Sequence, residues 1–399
     1  MRDEASGMWK KAIFVLTLII AMTSLCHSVS AVKLTQLTTN ETDEYDPAWS
    51  PDGNKIAYVG TWIINYAGVV SIPADVIWTM DSDGKNQKHE IDVPMIADLF
   101  AGRDYSPPRN PTYSPDGTEI AFDYGGGIWV RSPRVGLYGG VTSITLKNES
   151  NYNNEDPAWS PDGIQIAFTS YRSGNKDIWL MNDDGSSLIQ LTKHKSIDEH
   201  PAWSPDASKI AFTSYRSGNA DIWVMDRDGS NLKQLTTDKS KDFYPAWSPD
   251  GTKIAFVSDR SGNKDIWIID SDGKNIMQLT TNESNDESPT WCPMSSREEM
   301  KIAFTSERAG NKDIWVMEFS EDELAKGGIG GQSNILEVIK GYLPFICAAI
   351  LVSALFIFRG FVFSGVQRII LGYYRWKMRK WEQKGYDVTK LKEVLRGEK

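Results

Sequence analysis

From residue 32 to residue 320, short apolar runs alternate with clusters of Pro, Asp, Gly, Ser and Asn, and the whole pattern repeats. The segments YDPAWSPDG, RNPTYSPDG, EDPAWSPDG, EHPAWSPDA, YPAWSPDG and SPTWCPMS carry Trp49, Tyr113, Trp159, Trp203, Trp247 and Trp291, and the last three intervals are 44 residues each. An apolar triplet, IAY or IAF, follows each segment. An Ile-Trp pair then ends at Trp78, Trp129, Trp179, Trp223, Trp267 and Trp315. The unit translates into four short strands. Pro-Ala-Trp is the first. Ser-Pro-Asp-Gly is a β-turn in which Pro fixes φ and Gly closes the turn. Ile-Ala-Phe-Thr-Ser is the second strand, rich in residues that suit a pleated sheet. Asp-Ile-Trp-Val-Met is the third and Leu-Lys-Gln-Leu-Thr the fourth. Four antiparallel strands in roughly 40–45 residues are the mark of a propeller blade. A linear β-solenoid is the alternative, but its repeats are usually shorter and its ends need caps.

Counting strands predicts how the ring closes. Fourth strands are expected at 87–93, 142–147, 188–192, 232–236 and 276–280, but the last repeat runs past Trp315 without one. The missing strand stands at the other end of the repeat region, as KLTQLT at 33–38. It would complete the last blade beside residues 313–318 and hide two sheet edges.

The unit PAWSPDGxxIAF, followed by R-x-G-x-x-DIWVM and DGS-x-x-x-QLT, resembles the TolB-type β-propeller repeat over roughly residues 32–320, most clearly from 154 to 282. The resemblance implies a six-bladed propeller, exported from the cytoplasm, that serves as a protein-interaction platform. The chain departs from bacterial TolB in lacking its small N-terminal α/β domain and in adding an apolar span and a tail.

Both flanks read as membrane-directed. Residues 12–25, AIFVLTLIIAMTSL, are an uncharged apolar run preceded by Lys10 and Lys11 and followed by Val29-Ser30-Ala31. That is signal-peptide anatomy over residues 1–31, the run being short for a span. Residues 341–358, GYLPFICAAILVSALFIF, are 18 residues without a charge, enough to cross the hydrocarbon core. The expected organisation is therefore a propeller at 32–320, a Gly-rich linker at 321–334, a transmembrane helix at 335–359 and a basic cytoplasmic tail at 360–399. From 359 onward there are eleven Lys/Arg against four Asp/Glu. The positive-inside rule then puts the tail in the cytoplasm and the acidic propeller outside. The stretch GYYRWKMRKWEQK at 372–384 reads as an interfacial helix, and 388–395 as a short second one. The fold class is all-β: a six-bladed propeller closed by its N-terminal strand, plus one C-terminal transmembrane α-helix and a short helical tail.

Composition narrows the chemistry. Three Cys and four His in 399 residues do not make a disulfide scaffold or a Cys-based zinc site. No Gly-x-Ser-x-Gly elbow, HExxH, P-loop or CxxC occurs. No catalytic residue, cofactor or metal is expected, and no nucleic-acid partner. The Asp-x-Asp-Gly starts at Asp81, Asp226 and Asp270 look like the beginning of a calcium loop, but they run straight into a strand, and hairpin geometry alone explains them. Arg172, Arg216, Arg260 and Arg308 are expected to form structural salt bridges to Asp177, Asp221, Asp265 and Asp313. Trp179, Trp223 and Trp267 are expected in the core.

The candidate site is the channel mouth, where first strands start at 44–46, 109–110, 155–156, 198–200, 242–244 and 286–288. Carboxylates at five of six starts would converge on one axis and attract cations or basic peptide segments. The residues singled out are Asp46, Arg109, Asp156, Glu199, His200, Asp242, Tyr244 and Glu287. Sequons at Asn40, Asn148 and Asn282 each follow a fourth strand, on one rim. Long apolar insertions occupy 58–78, 92–109 and 129–159, where loops carry function. The functional expectation is a non-enzymatic, membrane-anchored, monomeric propeller that binds a protein, peptide or glycan outside the cytoplasm. A single-pass receptor signalling through its tail is the alternative, and a channel-site hydrolase or lyase a third.

Overall fold

Six four-stranded antiparallel sheets make up the computed structural model, which describes residues 32–66, 70–90, 107–132, 141–145, 153–296 and 299–325. Blade 1 comprises β2 (Glu44–Trp49), β3 (Lys55–Tyr66), β4 (Val70–Asp81) and β5 (Lys88–His89). Blade 2 comprises β6 (Arg109–Tyr113), β7 (Ile120–Tyr124), β8 (Gly127–Arg131) and β9 (Val141–Ser143). Blade 3 runs through β10 (Asn154–Trp159), β11 (Gln165–Ser170), β12 (Asp177–Asn182) and β13 (Ile189–Gln190). Blade 4 runs through β14 (Asp198–Trp203), β15 (Lys209–Ser214), β16 (Asp221–Asp226) and β17 (Lys233–Gln234). Blade 5 holds β18 (Asp242–Trp247), β19 (Lys253–Ser258), β20 (Asp265–Asp270) and β21 (Met277–Gln278). Blade 6 holds β22 (Asp286–Trp291), β23 (Met300–Ser306) and β24 (Asp313–Phe319). Its fourth strand is β1 (Lys33–Gln36), which pairs antiparallel with β24 from Lys33↔Glu318 to Gln36↔Trp315. The first strands neighbour one another in the circle β2, β6, β10, β14, β18, β22 and back to β2. The expected all-β ring and its closure are both present.

Local chemistry explains the turns. Ser50 Oγ donates to Asp52 (2.6 Å) and accepts from the Lys55 N–H (2.9 Å), and Ser114, Ser160, Ser204 and Ser248 do the same. Gly53, Gly117, Gly163 and Gly251 close those turns at φ 68, 70, 73 and 69°, a region open to glycine at little cost. Ala207 occupies the same position at φ 56°. In blade 6, where Cys292-Pro-Met-Ser replaces the motif, Ser295 Oγ takes over and accepts from the Lys301 N–H (3.0 Å).

The core lies between blades. Ala167, Ile178 and Leu180 of blade 3 pack on Trp203, Ile210, Phe212 and Met225 of blade 4, and the same contact recurs around the ring. The Phe of each IAF triplet (Phe122, Phe168, Phe212, Phe256 and Phe304) is fully buried, worth about 1.5–3 kcal/mol apiece.

Four expectations are corrected. The fourth strands of blades 1 to 5 are only two or three residues long; in blades 3 to 5 a threonine hydroxyl ends the ladder, Thr192, Thr236 and Thr280 accepting from Ile178, Ile222 and Ile266 N–H at 2.9–3.0 Å. The arginines pair with the first strand rather than the third. Arg216, Arg260 and Arg308 bond Asp198, Asp242 and Asp286 at 2.7 Å, and Arg172 bonds the neutral Asn154 at 3.1 Å. Asp177, Asp221 and Asp265 are instead taken by Ser173, Ser217 and Ser261 and by fourth-strand Gln and Thr side chains. Trp179, Trp223 and Trp267 are half-buried rather than core, each lying beneath an arginine guanidinium at 4.8–5.0 Å. Residues 321–325, placed in the linker, form the helical turn α1 (Glu321–Ala325), held because Leu324 is buried against blades 5 and 6.

Asn148, residues 91–106, the expected signal peptide, the transmembrane helix and the tail lie outside the described residues. Among the described residues no helix is long and apolar enough to cross a membrane.

Candidate functional site

Every first strand carries a register shift two residues before its Ala or Thr, as between Glu155 and Ala158, Glu199 and Ala202 or Arg109 and Thr112. The residue before the proline, third in five of the strands and second in the shorter β6, sits in the left-handed region in all six blades: Asp46, Asn110, Asp156, His200, Tyr244 and Ser288, at φ 51–55°. The proline that follows donates no N–H to the ladder, so the bulge costs no backbone hydrogen bond at that residue. The bulge turns these six side chains onto the channel axis, where they form a ring.

The ring is knitted across blades. Ser288 Oγ donates to Asp46 (2.9 Å), and Asn110 Nδ2 donates to both Asp123 (3.1 Å) and Asp156 (2.9 Å). Thr169 Oγ1 donates to Asp156 (2.8 Å) and accepts from the His200 N–H (3.2 Å). The His200 and Tyr244 rings lie 4.0 Å apart, and His200 Nε2 stands 3.8 Å from Asp156. Two cavities meet at this ring. One, of about 320 Å³, is walled by the Pro-Ala-Trp strands. The other, of about 450 Å³, opens beside Arg109, Asp123, Glu155 and Lys176.

Electrostatics divide the rim from the ring. Burial alone would lower the Lys176 ammonium, but its hydrogen bonds to Glu155 and Glu199, both 2.9 Å, hold it well above the usual lysine range. Burial would raise Glu287, but Lys264 and Lys312 hold it below the usual range. In the ring, burial raises the Asp46 carboxyl. Burial, reinforced by Asp156, raises that of Asp123 well above the carboxylate range. Among the described residues no set of three or more ligating groups stands close enough to hold a metal ion.

Of the residues singled out from sequence, Asp46, Asp156, His200 and Tyr244 meet on the ring, and Arg109 stands at the mouth, 5.5 Å over the Tyr45 ring. Glu199 and Glu287 face the rim in ion pairs with lysines. Asp242 is a correction: it is fully buried inside blade 5 against Arg260, because the first residue of the strand points away from the channel that the third one faces. Asn110 and Ser288 complete the ring but were not singled out; their place in the repeat, directly before Pro, marks them. Asp123 and Lys176 were missed altogether. Asp123 stands where the other blades have Thr169, Thr213 or Thr305, so repeat-by-repeat alignment carries its signal. Asn40 and Asn282 are exposed on the chain leading into a first strand. Asn40 Nδ2 donates to Glu44 (3.1 Å).

A family model described as a TolB beta propeller domain matches residues 74–244 and 238–341. A Bacillus subtilis protein described as an uncharacterized peptidase, YuxL, is 32% identical over 94 residues; the match covers 21% of this chain and 13% of that protein. Among solved structures, TolB from Acinetobacter baumannii is 24% identical with a TM-score of 0.49, covering 67% of this chain and 64% of that one. A gluconolactonase from Xanthomonas campestris is 13% identical with a TM-score of 0.50, covering 74% and 91%; that likeness concerns the fold.

Proposed function

Since the chain belongs to the TolB beta propeller domain family, we propose that it is a non-enzymatic binding platform, whose channel mouth captures a basic segment of a partner protein outside the cytoplasm. The observation that carries this reading is the six-residue ring, with Asp156 buried and Asp46 half-buried on the axis and Asp123 beside them. Crowded carboxylates between low-dielectric walls focus a negative field along the channel, which raises local cation concentration and speeds encounter. The His200 and Tyr244 rings, tilted 39° to each other, stand on the same ring and offer carbon surface to the methylene stem of a long cationic side chain.

The reading includes an anchored propeller. The apolar run at 341–358 tethers it, the signal peptide at 1–31 exports it, and the basic tail stays inside. Signalling through that tail is compatible with the same capture and would be an added activity. The expected state of the propeller is monomeric.

The test is anisotropy of a fluorescent lysine-rich peptide with the full-length chain. The peptide should bind, weaken several-fold between 50 and 200 mM salt as screened charge does, and weaken again in Asp46→Asn and Asp156→Asn. Binding that ignores both salt and these substitutions sinks the reading. Protease accessibility of the propeller in intact cells, with a protected C-terminal tag, tests the topology separately.

A further inference from the structure

We infer that the wider cavity at the mouth contains a subsite for one primary ammonium group, built by Asp123 of blade 2; this rests on the channel reading above. Three features of blade 2 make it.

The first is a shortened turn. In blade 3, six residues (171–176) connect β11 to β12, whereas in blade 2 only Gly125 and Gly126 connect β7 to β8. Both glycines have positive φ, 57 and 77°, as the tightest two-residue hairpin requires. The longer turn is what carries Lys176 in blade 3, Lys264 in blade 5 and Lys312 in blade 6, and those lysines neutralise the neighbouring glutamates. Blade 2 has Gly126 immediately before its third strand, so its own turn brings no lysine to Asp123, and Lys176, which lines the same cavity, is held by Glu155 and Glu199.

The second is the residue itself. Asp123 occupies the register position of Thr169, Thr213 and Thr305, so a carboxylate replaces a hydroxyl. It is 8% exposed. Its Oδ1 accepts from Asn110 Nδ2 at 3.1 Å. Among the described residues Oδ2 has no hydrogen-bond partner, and no cation lies within ion-pairing distance of the group.

The third is the space in front of it. The cavity of about 450 Å³ is lined by Asp123 together with Asp46, Glu155 and Asp156. It is far larger than a single ion needs, and its oxygens do not converge as metal ligands do. One carboxylate oxygen already engaged and one open suit a compact three-donor ammonium better than a planar guanidinium, which prefers both oxygens at once. A lysine side chain and a free amino terminus carry the same ammonium.

Binding should be linked to pH. Asp123 faces Asp46 on β2, Arg109 and Asn110 on β6, Glu155 and Asp156 on β10, Lys176 ahead of β12, His200 on β14 and Tyr244 on β18. Burial and the carboxylates among them favour its protonated form, so capturing a cation releases that proton, and affinity rises with pH.

Isothermal titration of the full-length chain with Nα-acetyl-lysine N-methylamide, alanine N-methylamide and Nα-acetyl-arginine N-methylamide tests this. At least one of the two ammonium probes should bind saturably and more tightly than the arginine probe, and more tightly at pH 8 than at pH 5. Whichever binds identifies the source. Asp123→Thr, the residue that three other blades use, should weaken it about tenfold or more, the loss of one charge-assisted bond. Glu299→Gln, in a separate cavity lined by Lys33, Trp49 and Cys292, should leave it unchanged. An unchanged melting curve shows that the Thr variant is folded. Equal binding to wild type and Asp123→Thr overturns the subsite, as does tighter Asp123-dependent binding of Mg²⁺ or of the arginine probe. If the lysine-rich peptide still binds through Asp46 and Asp156 in that case, the channel reading stands alone; if it does not, both fall.

Discussion

Asp242 and Asp123 are both buried carboxylates in a β-blade, and their surroundings assign them opposite roles. Asp242 receives Arg260 at 2.7–2.8 Å through both oxygens, and the guanidinium also lies over Phe256 and Trp267. Removing Arg260 leaves a buried carboxylate without its cation, held by the Ser258 and Thr236 hydroxyls. Arg260→Ala is therefore expected to cost about 3–5 kcal/mol in urea unfolding, and adding Asp242→Asn should recover a large part of it; no recovery would mean that packing, not charge, sets the loss. Asp123 has no such cation. Burial raises its folded-state carboxyl well above the unfolded value, so the folded chain binds that proton more tightly. The stability this supplies is complete below about pH 4 and disappears as pH rises through the raised value. Asp123→Asn is expected to raise the melting temperature at pH 7 and to flatten its pH dependence above pH 4. A variant with the wild-type pH profile would show that other groups set that slope.

At the scale of the element, turns and edges set the constraints. Ala207 holds a left-handed turn position that is glycine in four other blades. Ala207→Gly should stabilise by about 0.5 kcal/mol, the left-handed strain of ~1 kcal/mol less the entropy that glycine adds to the unfolded chain. Gly251→Ala should cost about 0.5 kcal/mol by the reverse argument; a destabilising Ala207→Gly or a stabilising Gly251→Ala would disprove this account of the turn. The closing strand β1 is short, but its surroundings fix it. Lys33 bonds Glu318 at 3.0 Å, Gln36 bonds Asp313 at 3.1 Å, and Thr38 caps the Ile314 N–H at 2.8 Å. Deleting residues 32–39 uncovers the edge of β24 and removes the buried Leu37 from its cluster with Trp49, Ile314 and Val316. The deletion is expected to lower the melting temperature and promote aggregation, and an unchanged melting temperature would refute closure by this strand.

At the scale of the molecule, each apolar cluster belongs to two blades, so no blade buries its faces alone. A closed ring of shared interfaces should unfold as one unit rather than blade by blade. Trp fluorescence and far-UV circular dichroism are expected to trace the same urea transition, and separated midpoints would show independent blades. The sequence by itself determined the number of blades, the turns and the closing strand. These follow from local chemistry repeated at a fixed interval: Pro and Gly set φ, Asp and Ser cap turns, and a missing strand at one end is found at the other. Which acids face the channel was decided only by tertiary structure. In Asp242-Phe-Tyr-Pro and Asn154-Glu-Asp-Pro the polar residues look interchangeable on the page, yet the left-handed bulge sends the first into its blade and the third onto the axis. The arginines show the same limit. Arg260 lies five residues from Asp265 but bonds Asp242, eighteen residues away, because the strand between them folds the distant residue back to its side. A one-dimensional pattern gives spacing along the chain, whereas pairing across strands and around a ring sets which charges meet.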